Sequence, residues 1–451
     1  MKELLQNSKR LYFLGIGGIG MSALARYCLQ AGKEVYGYDL TPTPLTDELQ
    51  QAGAHIHYEE QPELIPAGID FVVYTPAVSV NHAEYQYFIK HNIPIIKRAQ
   101  LQGMLSAQYP TIAIAGTHGK TTTTAMTAQL LHGEKPLMAF IGGIAKNFNS
   151  NFILDKNLQY VVVEADEFDR SFLHLSPSVA IITSIDADHL DIYGNKSHLK
   201  EAFQLFADRI MPNGTLIIHE AIAEYIAHSH KVTYGLNAAC DYRITKVAMQ
   251  RETAEFRLVC RDKSYNVKLN VSGMHNILNA TAAFAAAQAQ FGGEAAQSAR
   301  FLDKLAQFNG VKRRFDYQII RPDLVYIDDY AHHPEELRAI ITAVKNIYAD
   351  KQITGIFQPH LFTRTRDFAR DFAEVLALLD EVILLEIYPA RELPIQGINS
   401  TYLLNLIPNN RKQLLSKEAL LPYLQQAHPE VLLTLGAGDI DRLVPILRDN
   451  L

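Results

Sequence analysis

The chain has 451 residues, 48% of them hydrophobic and 20% charged, which describes a globular protein too long for one ordinary core and sized for two or three domains. A formal charge of −6 argues against a general nucleic-acid binder, which carries a basic excess, so no nucleic-acid partner is expected and any anionic ligand must be held by local features. No apolar run approaches bilayer length, the start MKELLQNSKRLYFLGIGG is too polar for a signal peptide, and Cys28, Cys240 and Cys260 are scattered without metal or disulfide spacing; the expectation is a cytoplasmic protein without membrane insertion.

Residues 1–107 alternate strand-like and helix-like segments: LYFLGIG, GMSALARYCLQAG, KEVYGYD, then DFVVYTPAV and IPIIKRA. That rhythm predicts a parallel sheet with covering helices. Gly15, Gly17 and Gly20 form G-x-G-x-x-G between a strand and a helix, and Asp39 closes the second strand, placed for a ribose diol. Taken alone this suggests NAD, and a lone glycine fingerprint is a weak signal.

A polar connector, LQGMLSAQYP, leads into a second strand–helix series over residues 108–311. In TIAIAGTHGKTTTT a buried strand ends at Ala115, and Gly116 and Gly119 permit a tight turn whose N–H groups point inward at the start of a helix, a cradle for phosphate. Lys120 can reach the β- and γ-phosphates and the Thr121 hydroxyl can ligate Mg2+. The familiar G-x-x-x-x-G-K-[ST] pattern would want glycine at Ile114, so this loop is shorter. The bland alternative is a glycine turn before a helix with a solvated lysine.

A nucleoside triphosphate needs magnesium, so carboxylates are expected on neighbouring strand ends. YVVVEADEFD ends an apolar strand with Glu164, Asp166 and Glu167, and period-2 alternation predicts Glu164 and Asp166 on one face, bridged by a metal or its water. VAIITSIDADHLD ends in Asp186, Asp188, His189 and Asp191, with His189 as a ligand to a second metal. Acidic residues after strands also serve as helix caps. A helix rich in alanine, NATAAFAAAQAQFG, follows.

Around FNGVKRRFD the pattern restarts for residues 312–451, with strands ending in DDYAHHP, QPHLFTRTR, YPARE and GAGD. Ligands of open α/β sheets bind beyond the carboxyl ends of the strands, so these polar residues read as one substrate edge. The fold class is α/β in three domains, with boundaries near 108 and 312.

GTHGKTTT, EADE, DADHLD, SGMHNILNA, DDYAHHP and FQPHLFTRTRDF, in this order, resemble the Mur ligase family of peptidoglycan synthesis over essentially the whole chain. The shortened loop is that family's version. The resemblance implies a Rossmann-like UDP-sugar-binding domain (1–107), a central P-loop ATPase domain with a mainly parallel sheet (108–311) and a Rossmann-like amino-acid-binding domain (312–451). It assigns the UDP-sugar to Gly15, Gly17, Gly18, Gly20, Met21, Ser22 and Asp39. ATP falls to Gly116, Thr117, His118, Gly119, Lys120, Thr121 and Thr122. His275, Asn276 and Asn279 contact the adenine, the alternative being a helix start with Asn as cap. Arg314 reaches the ATP phosphates, with Arg313 as the alternative.

The same resemblance gives Mg2+ to Thr121, Glu164 and His189, the amino acid to Tyr330, His332 and Arg364, and catalysis to Lys120, Glu164, His189, His332 and Arg364. The second histidine of the pair, His333, reads as structural. Two departures stand out. Leu361 occupies a position where relatives often have arginine, which leaves Arg364 or Arg366 to recognise the carboxylate, and Gln204 stands where sister ligases carry a carbamylated lysine. The form GIGGIGMSALA fits the member that joins L-alanine to the lactyl carboxylate of UDP-N-acetylmuramate through an acyl phosphate. The runner-up adds a murein tripeptide instead, and a nucleotide-sensing switch ATPase is the distant third. A monomer or homodimer is expected, with domain closure about a hinge at 308–315.

Overall fold

The computed structural model describes residues 2–186, 196–292, 294–390 and 392–451. Among these, strands gather into three sheets, and the chain divides into two compact units, Met1–Val311 and Lys312–Leu451.

The first sheet contains β1 (Arg10–Leu14), β2 (Glu34–Tyr38), β3 (His55–His57), β4 (Phe71–Tyr74) and β5 (Ile95–Lys97). All pair in parallel in the order β3-β2-β1-β4-β5. The order reverses between β1 and β4, so a crevice opens beyond their carboxyl ends. Gly15 occupies that point, where a side chain would lie 2.7 Å from Thr75 Cγ2.

The second sheet contains β6 (Thr111–Ala115), β7 (Leu137–Ala145), β8 (Ser150–Leu154), β9 (Tyr160–Glu164), β10 (Val179–Ile182), β11 (Thr215–His219), β12 (Lys231–Gly235), β13 (Tyr242–Met249), β14 (Ala254–Cys260) and β15 (Lys263–Leu269). Its order is β15-β14-β13-β12-β11-β10-β6-β9-β7-β8. The central strands are parallel, and antiparallel pairs close both edges. TIAIA and VAII are buried throughout, as strands covered on both faces must be. The alanine-rich stretch forms helix Met274–Phe291, with Ala280, Ala282, Ala283 and Ala285–Ala287 buried. Small side chains let it press against both the sheet and helix Lys120–Leu131.

The first two sheets share a core. Helix Ile19–Gln30 lies on β7 and β8, and the buried Asn151 Nδ2 donates to Ile19 O (2.6 Å) and Ser22 Oγ (3.0 Å). Helix Arg98–Ser106 lies on the turn Phe168–His174, so closely that a Cβ on Gly103 would stand 2.5 Å from His174 O. One apolar cluster therefore runs from Phe13 and Leu101 through to Phe172 and Phe203. This continuity makes a single unit of residues 1–311.

The second unit holds β16 (Asp316–Ile320), β17 (Val325–Asp329), β18 (Ile353–Phe357), β19 (Glu381–Leu384), β20 (Lys412–Leu414) and β21 (Val431–Leu435). The order is β16-β17-β21-β18-β19-β20, parallel except for β16, with an apolar cluster on each face. Among the described residues no helix is long and apolar enough to cross a membrane.

Phe172 anchors the shared core: it is fully buried, stacked on Phe206 at 5.0 Å and edge-on to Phe203 at 5.4 Å. Phe172→Ala is expected to destabilise residues 1–311 by about 3–5 kcal/mol, read from urea unfolding of the full chain. A loss below about 1 kcal/mol would contradict this packing.

Candidate active site

Beyond β6 the chain turns through Gly116 (φ +138°) and Gly119 (φ +80°) into helix Lys120–Leu131. Both backbone angles favour glycine, and space demands it: a Cβ on Gly116 would lie 2.0 Å from Thr183 Oγ1, and one on Gly119 would lie 2.6 Å from Asn279 Oδ1. The loop is pinned to the chain leaving β10. Thr117 N donates to Ser184 O (3.1 Å), His118 N to Ser184 Oγ (2.9 Å), and Thr183 Oγ1 to His118 O (2.5 Å). Thr117 Oγ1 bonds Ser184 Oγ (2.8 Å) and accepts from Asp186 N (3.0 Å). The sequence reading misses Thr183 and Ser184, because it weighs only the acids that follow. Two hydroxyls directly after an apolar strand were the available signal. The His118 ring is exposed, with Nε2 3.7 Å from Asp186 Oδ2, and Thr122 sits half-buried in the first helical turn.

Lys120 Nζ donates to Gly116 O (2.7 Å) and pairs with Glu167 Oε1 (2.8 Å), whose side chain is fully buried. Burial alone would lower the lysine's pKa, but Glu167, Asp166 and Glu164 outweigh it and hold the pKa above its ordinary value. Lys120 is therefore a fixed positive charge at neutral pH. Glu164, at the end of β9, accepts from Thr121 Oγ1 (3.1 Å) and from Gly142 N (2.8 Å). Glycine is required there too, since a Cβ on residue 142 would stand 2.2 Å from Glu164 Oε2.

Glu164 and Asp166 take different hydrogen-bond partners, though both act on Lys120. β9 ends at Glu164, so the alternation stops before Asp166 is reached. Asp166 Oδ1 accepts from Phe168 N (3.0 Å), and Oδ2 lies 3.3 Å from Arg98 Nη2 of the first domain. His189, with Asp188 and Asp191, lies outside the described residues. Among the described residues no cluster of three or more His, Cys, Asp or Glu side chains forms a metal cage. The donors that do converge, the Thr121 hydroxyl and the Glu164 carboxylate beside Lys120, are hard oxygens of the kind Mg2+ accepts when substrate phosphates complete its shell.

Of the three residues expected at the adenine, Asn279 is buried against Gly119 of the phosphate loop. Asn276 is also buried, and its Nδ2 donates to Ser272 O (2.7 Å), tying the first turn to the preceding chain; the N-cap itself is Gly273, without a side-chain cap bond. His275 is exposed, its ring folded over Gly273, where a Cβ would meet Cε1 at 2.6 Å.

In the first domain Gly15 (φ +82°) donates through its N–H to Tyr38 O (2.8 Å), and Gly17 N donates to Asp39 Oδ2 (2.7 Å). Burial raises the Asp39 pKa against the opposing pull of that amide bond. Gly18 precedes helix Ile19–Gln30 as its N-cap. Met21 and Ser22 are 1% and 0% exposed, so their side chains serve packing and this run offers a ligand its backbone. Gly20 faces Arg98, whose Nη1 would be 3.0 Å from an added Cβ.

In the second unit, Arg313 is committed to the fold: Nε lies 3.2 Å from Asp328 Oδ2, and Nη2 donates to Gly436 O. Arg314 is exposed, its guanidinium 5.3 Å from the centre of the Tyr330 ring. That difference favours Arg314 over Arg313 as a ligand-facing group. Burial pushes Asp328 up to about 6, against the pull of Arg313 and Thr434. His332 Nδ1 lies 3.0 Å from Tyr330 O and 3.3 Å from Glu336 Oε2, with its ring 5.2 Å from that of Tyr330. Burial lowers its pKa; Glu336 opposes this, and the nearby positive charge of Arg364 reinforces it. His333 packs edge-on against Phe368 at 4.7 Å, a structural contact. Arg366 is exposed and pairs with Asp367 (2.7 Å), leaving Arg364 beside the histidine. Leu361 is buried at φ +72°, an uncommon conformation for a branched residue, and starts helix Phe362–Asp367.

Known proteins share this architecture along its whole length. Residues 10–110 match the description "Mur ligase family, catalytic domain", residues 114–287 the "Mur ligase middle domain", and residues 313–438 the "Mur ligase, glutamate ligase domain". The chain is 44% identical over 450 residues to the UDP-N-acetylmuramate–L-alanine ligase of Cytophaga hutchinsonii, covering 96% of this chain and 95% of that protein. It is 43% identical over 464 residues to the enzyme of the same name from Flavobacterium psychrophilum, covering 99% of each. Among solved structures, the UDP-N-acetylmuramate–alanine ligase of Thermotoga maritima superposes with a TM-score of 0.80 at 30% identity, covering 98% of both chains. A murein peptide ligase from Psychrobacter arcticus shares the fold with a TM-score of 0.76 at 23% identity, over 98% of this chain and 99% of that one. The chain belongs to the Mur ligase family.

Proposed function

We propose that this chain joins L-alanine to the lactyl carboxylate of UDP-N-acetylmuramate, consuming ATP and releasing ADP and phosphate. The observation that carries this reading is the 43–44% identity, over nearly the full length of both chains, to ligases named for that reaction. A carboxylate oxygen is a poor leaving group, so the acid is first phosphorylated; the amine of alanine then attacks the acyl phosphate, and phosphate departs from the tetrahedral intermediate. Such chemistry asks chiefly for positioning and fixed charge.

The phosphate loop is suited to that task. Gly116–Gly119 present backbone to the nucleotide, Thr117 and His118 hold the loop's shape, and Lys120 supplies a permanent cation for the transferring phosphoryl group. Thr121 and Glu164 would hold Mg2+, with His189 as a further ligand; when bound, the ion neutralises charge building on the phosphate oxygens. The arrangement of Gly15, Gly17, Gly18, Gly20 and Asp39 supports a UDP-sugar site built from backbone amides and one carboxylate. His275 and Asn279 are assigned to the adenine side and Arg314 to the phosphates. In the domain of residues 312–451, Arg364 is the partner for the alanine carboxylate, since a guanidinium fork matches it best. His332, held neutral by burial, is the group that accepts the ammonium proton. The reading places the reaction in the cytoplasm, carried out by a monomer or homodimer.

Phosphate release tests the whole assignment. It should be rapid only when UDP-N-acetylmuramate and L-alanine are both present; release indifferent to both would point to a switch ATPase. Faster turnover with L-Ala-γ-D-Glu-diaminopimelate than with alanine would reassign the third substrate. Lys120→Ala should lower kcat by at least about 100-fold while circular dichroism stays unchanged, and a near-normal rate would remove the phosphate-loop assignment. Because burial holds His332 below the usual histidine value of about 6.5, the neutral base persists into mildly acidic solution. The rate for alanine should therefore fall only as pH drops through a value under about 6.5, and His332→Asn should erase that acid limb. An unchanged limb in the variant would assign the proton to another group.

A further inference from the structure

Two adjacent basic residues, Lys97 and Arg98, stand where β5 passes into helix Arg98–Ser106, and no step above uses them. Both reach the acidic segment that follows β9. Lys97 Nζ pairs with Asp169 Oδ2 (2.7 Å), and Arg98 Nη2 pairs with Asp166 Oδ2 (3.3 Å). Between these two acids sits Glu167, the carboxylate that grips Lys120. The segment is bent in a way that needs support: Asp169 and Arg170 have φ values of +51° and +53°, where L-residues are uncommon. The clamp from the first domain supplies part of that support, and Asp166 adds its bond to Phe168 N.

On its other side the Arg98 guanidinium covers Gly20, the third glycine of the fingerprint. A Cβ there would stand 3.0 Å from Nη1 and 3.1 Å from Cδ. One side chain thus touches both the glycine loop and the segment that positions the phosphate-loop lysine. Arg98 Nη1 also donates to Gln102 Oε1 at 3.3 Å, within its own helix.

We infer that Arg98 is a positioning residue that couples the two nucleotide sites: a diphosphate at the glycine loop competes with Asp166 for its guanidinium, and the shift is passed through Glu167 to Lys120. The identity of the diphosphate as a UDP-sugar rests on the ligase reading. An arginine has five N–H donors and one delocalised charge, so an anion arriving at Gly20 weakens the pull on Asp166 without leaving Arg98 uncompensated. Coupling of this kind is reciprocal: each ligand alters the other's affinity by the same factor.

The test titrates a non-hydrolysable ATP analogue into the full chain by calorimetry, with and without saturating UDP-N-acetylmuramate. In the natural protein the sugar nucleotide should change the analogue's Kd by about 5-fold or more. In Arg98→Ala the ratio of the two Kd values should fall to about one, and Arg98→Lys should recover part of it, because lysine keeps the charge without the planar fork. Arg10→Ala, which breaks the exposed Arg10–Glu34 pair of the same domain, should keep the full ratio. A purely structural role would lower the melting temperature and weaken both affinities while preserving their ratio. Asp166→Asn removes the same pair from the other side and gives the answer should Arg98→Ala fail to fold. A ratio near one in the natural protein, or an intact ratio in the folded Arg98→Ala or Asp166→Asn protein, overturns the coupling. Direct titration of UDP-N-acetylmuramate keeps the two readings apart: no binding at all overturns the ligase assignment as well, whereas binding without Arg98-dependent coupling overturns only the inference.

Discussion

A lysine at the start of a helix that is largely shielded from water keeps its charge only if nearby groups offset the cost of burial. Lys120 meets this constraint through Glu167, Asp166 and Glu164, which hold its proton against the cost of burial. The loop's shape follows from the same requirement. Gly116 O accepts from the ammonium, Gly119 leaves room for Asn279, and Ser184 ties the middle of the loop to the neighbouring strand. The sheet order then places β9 and β10 on either side of β6, so that acids arrive from one flank and hydroxyls from the other.

Much of this was legible in the sequence. Apolar runs such as TIAIA and VAII, closed by glycines or polar residues, mark buried strands, and they lie in the centre of the second sheet. The alanine-rich stretch reads as a helix and is one. Less legible were contacts between residues far apart in the chain. Nothing in GTHGKT announces that its amides will be met by Ser184, and nothing in VVVEADE says where the strand stops. That stop decides the fate of Asp166: two residues past the ladder, alternation no longer governs direction, and the carboxylate follows the cation available to it, Arg98. Met21 and Ser22 show what a motif leaves unsaid: helix periodicity turns their side chains into the core, so any ligand there would meet their backbone.

The domain of residues 312–451 shows how a structure separates neighbours that a motif treats alike. Arg313 and Arg314 are adjacent, but a positive φ of +63° at Arg313 and its pair with the buried Asp328 draw it inward. Arg314 stays exposed, although both guanidinium groups lie near the Tyr330 ring, at 5.2 and 5.3 Å. His332 and His333 divide in the same manner, one near Arg364 and the other against Phe368. Burial suits leucine at position 361: the residue is only 6% exposed, a poor site for an unpaired charge.

The cluster that joins Phe13 and Leu101 to Phe172 and Phe203 also bears on how such a chain can be cut or recombined. A junction at the polar stretch before Thr111 looks, in the linear text, like a natural place to graft a different nucleotide-recognising module. In three dimensions that splice would pass through an oily seam, leaving greasy surface on both fragments. Exchange of the first lobe among ligases therefore has to carry its partner's matching wall along with it, whereas a splice at residue 312 respects the packing.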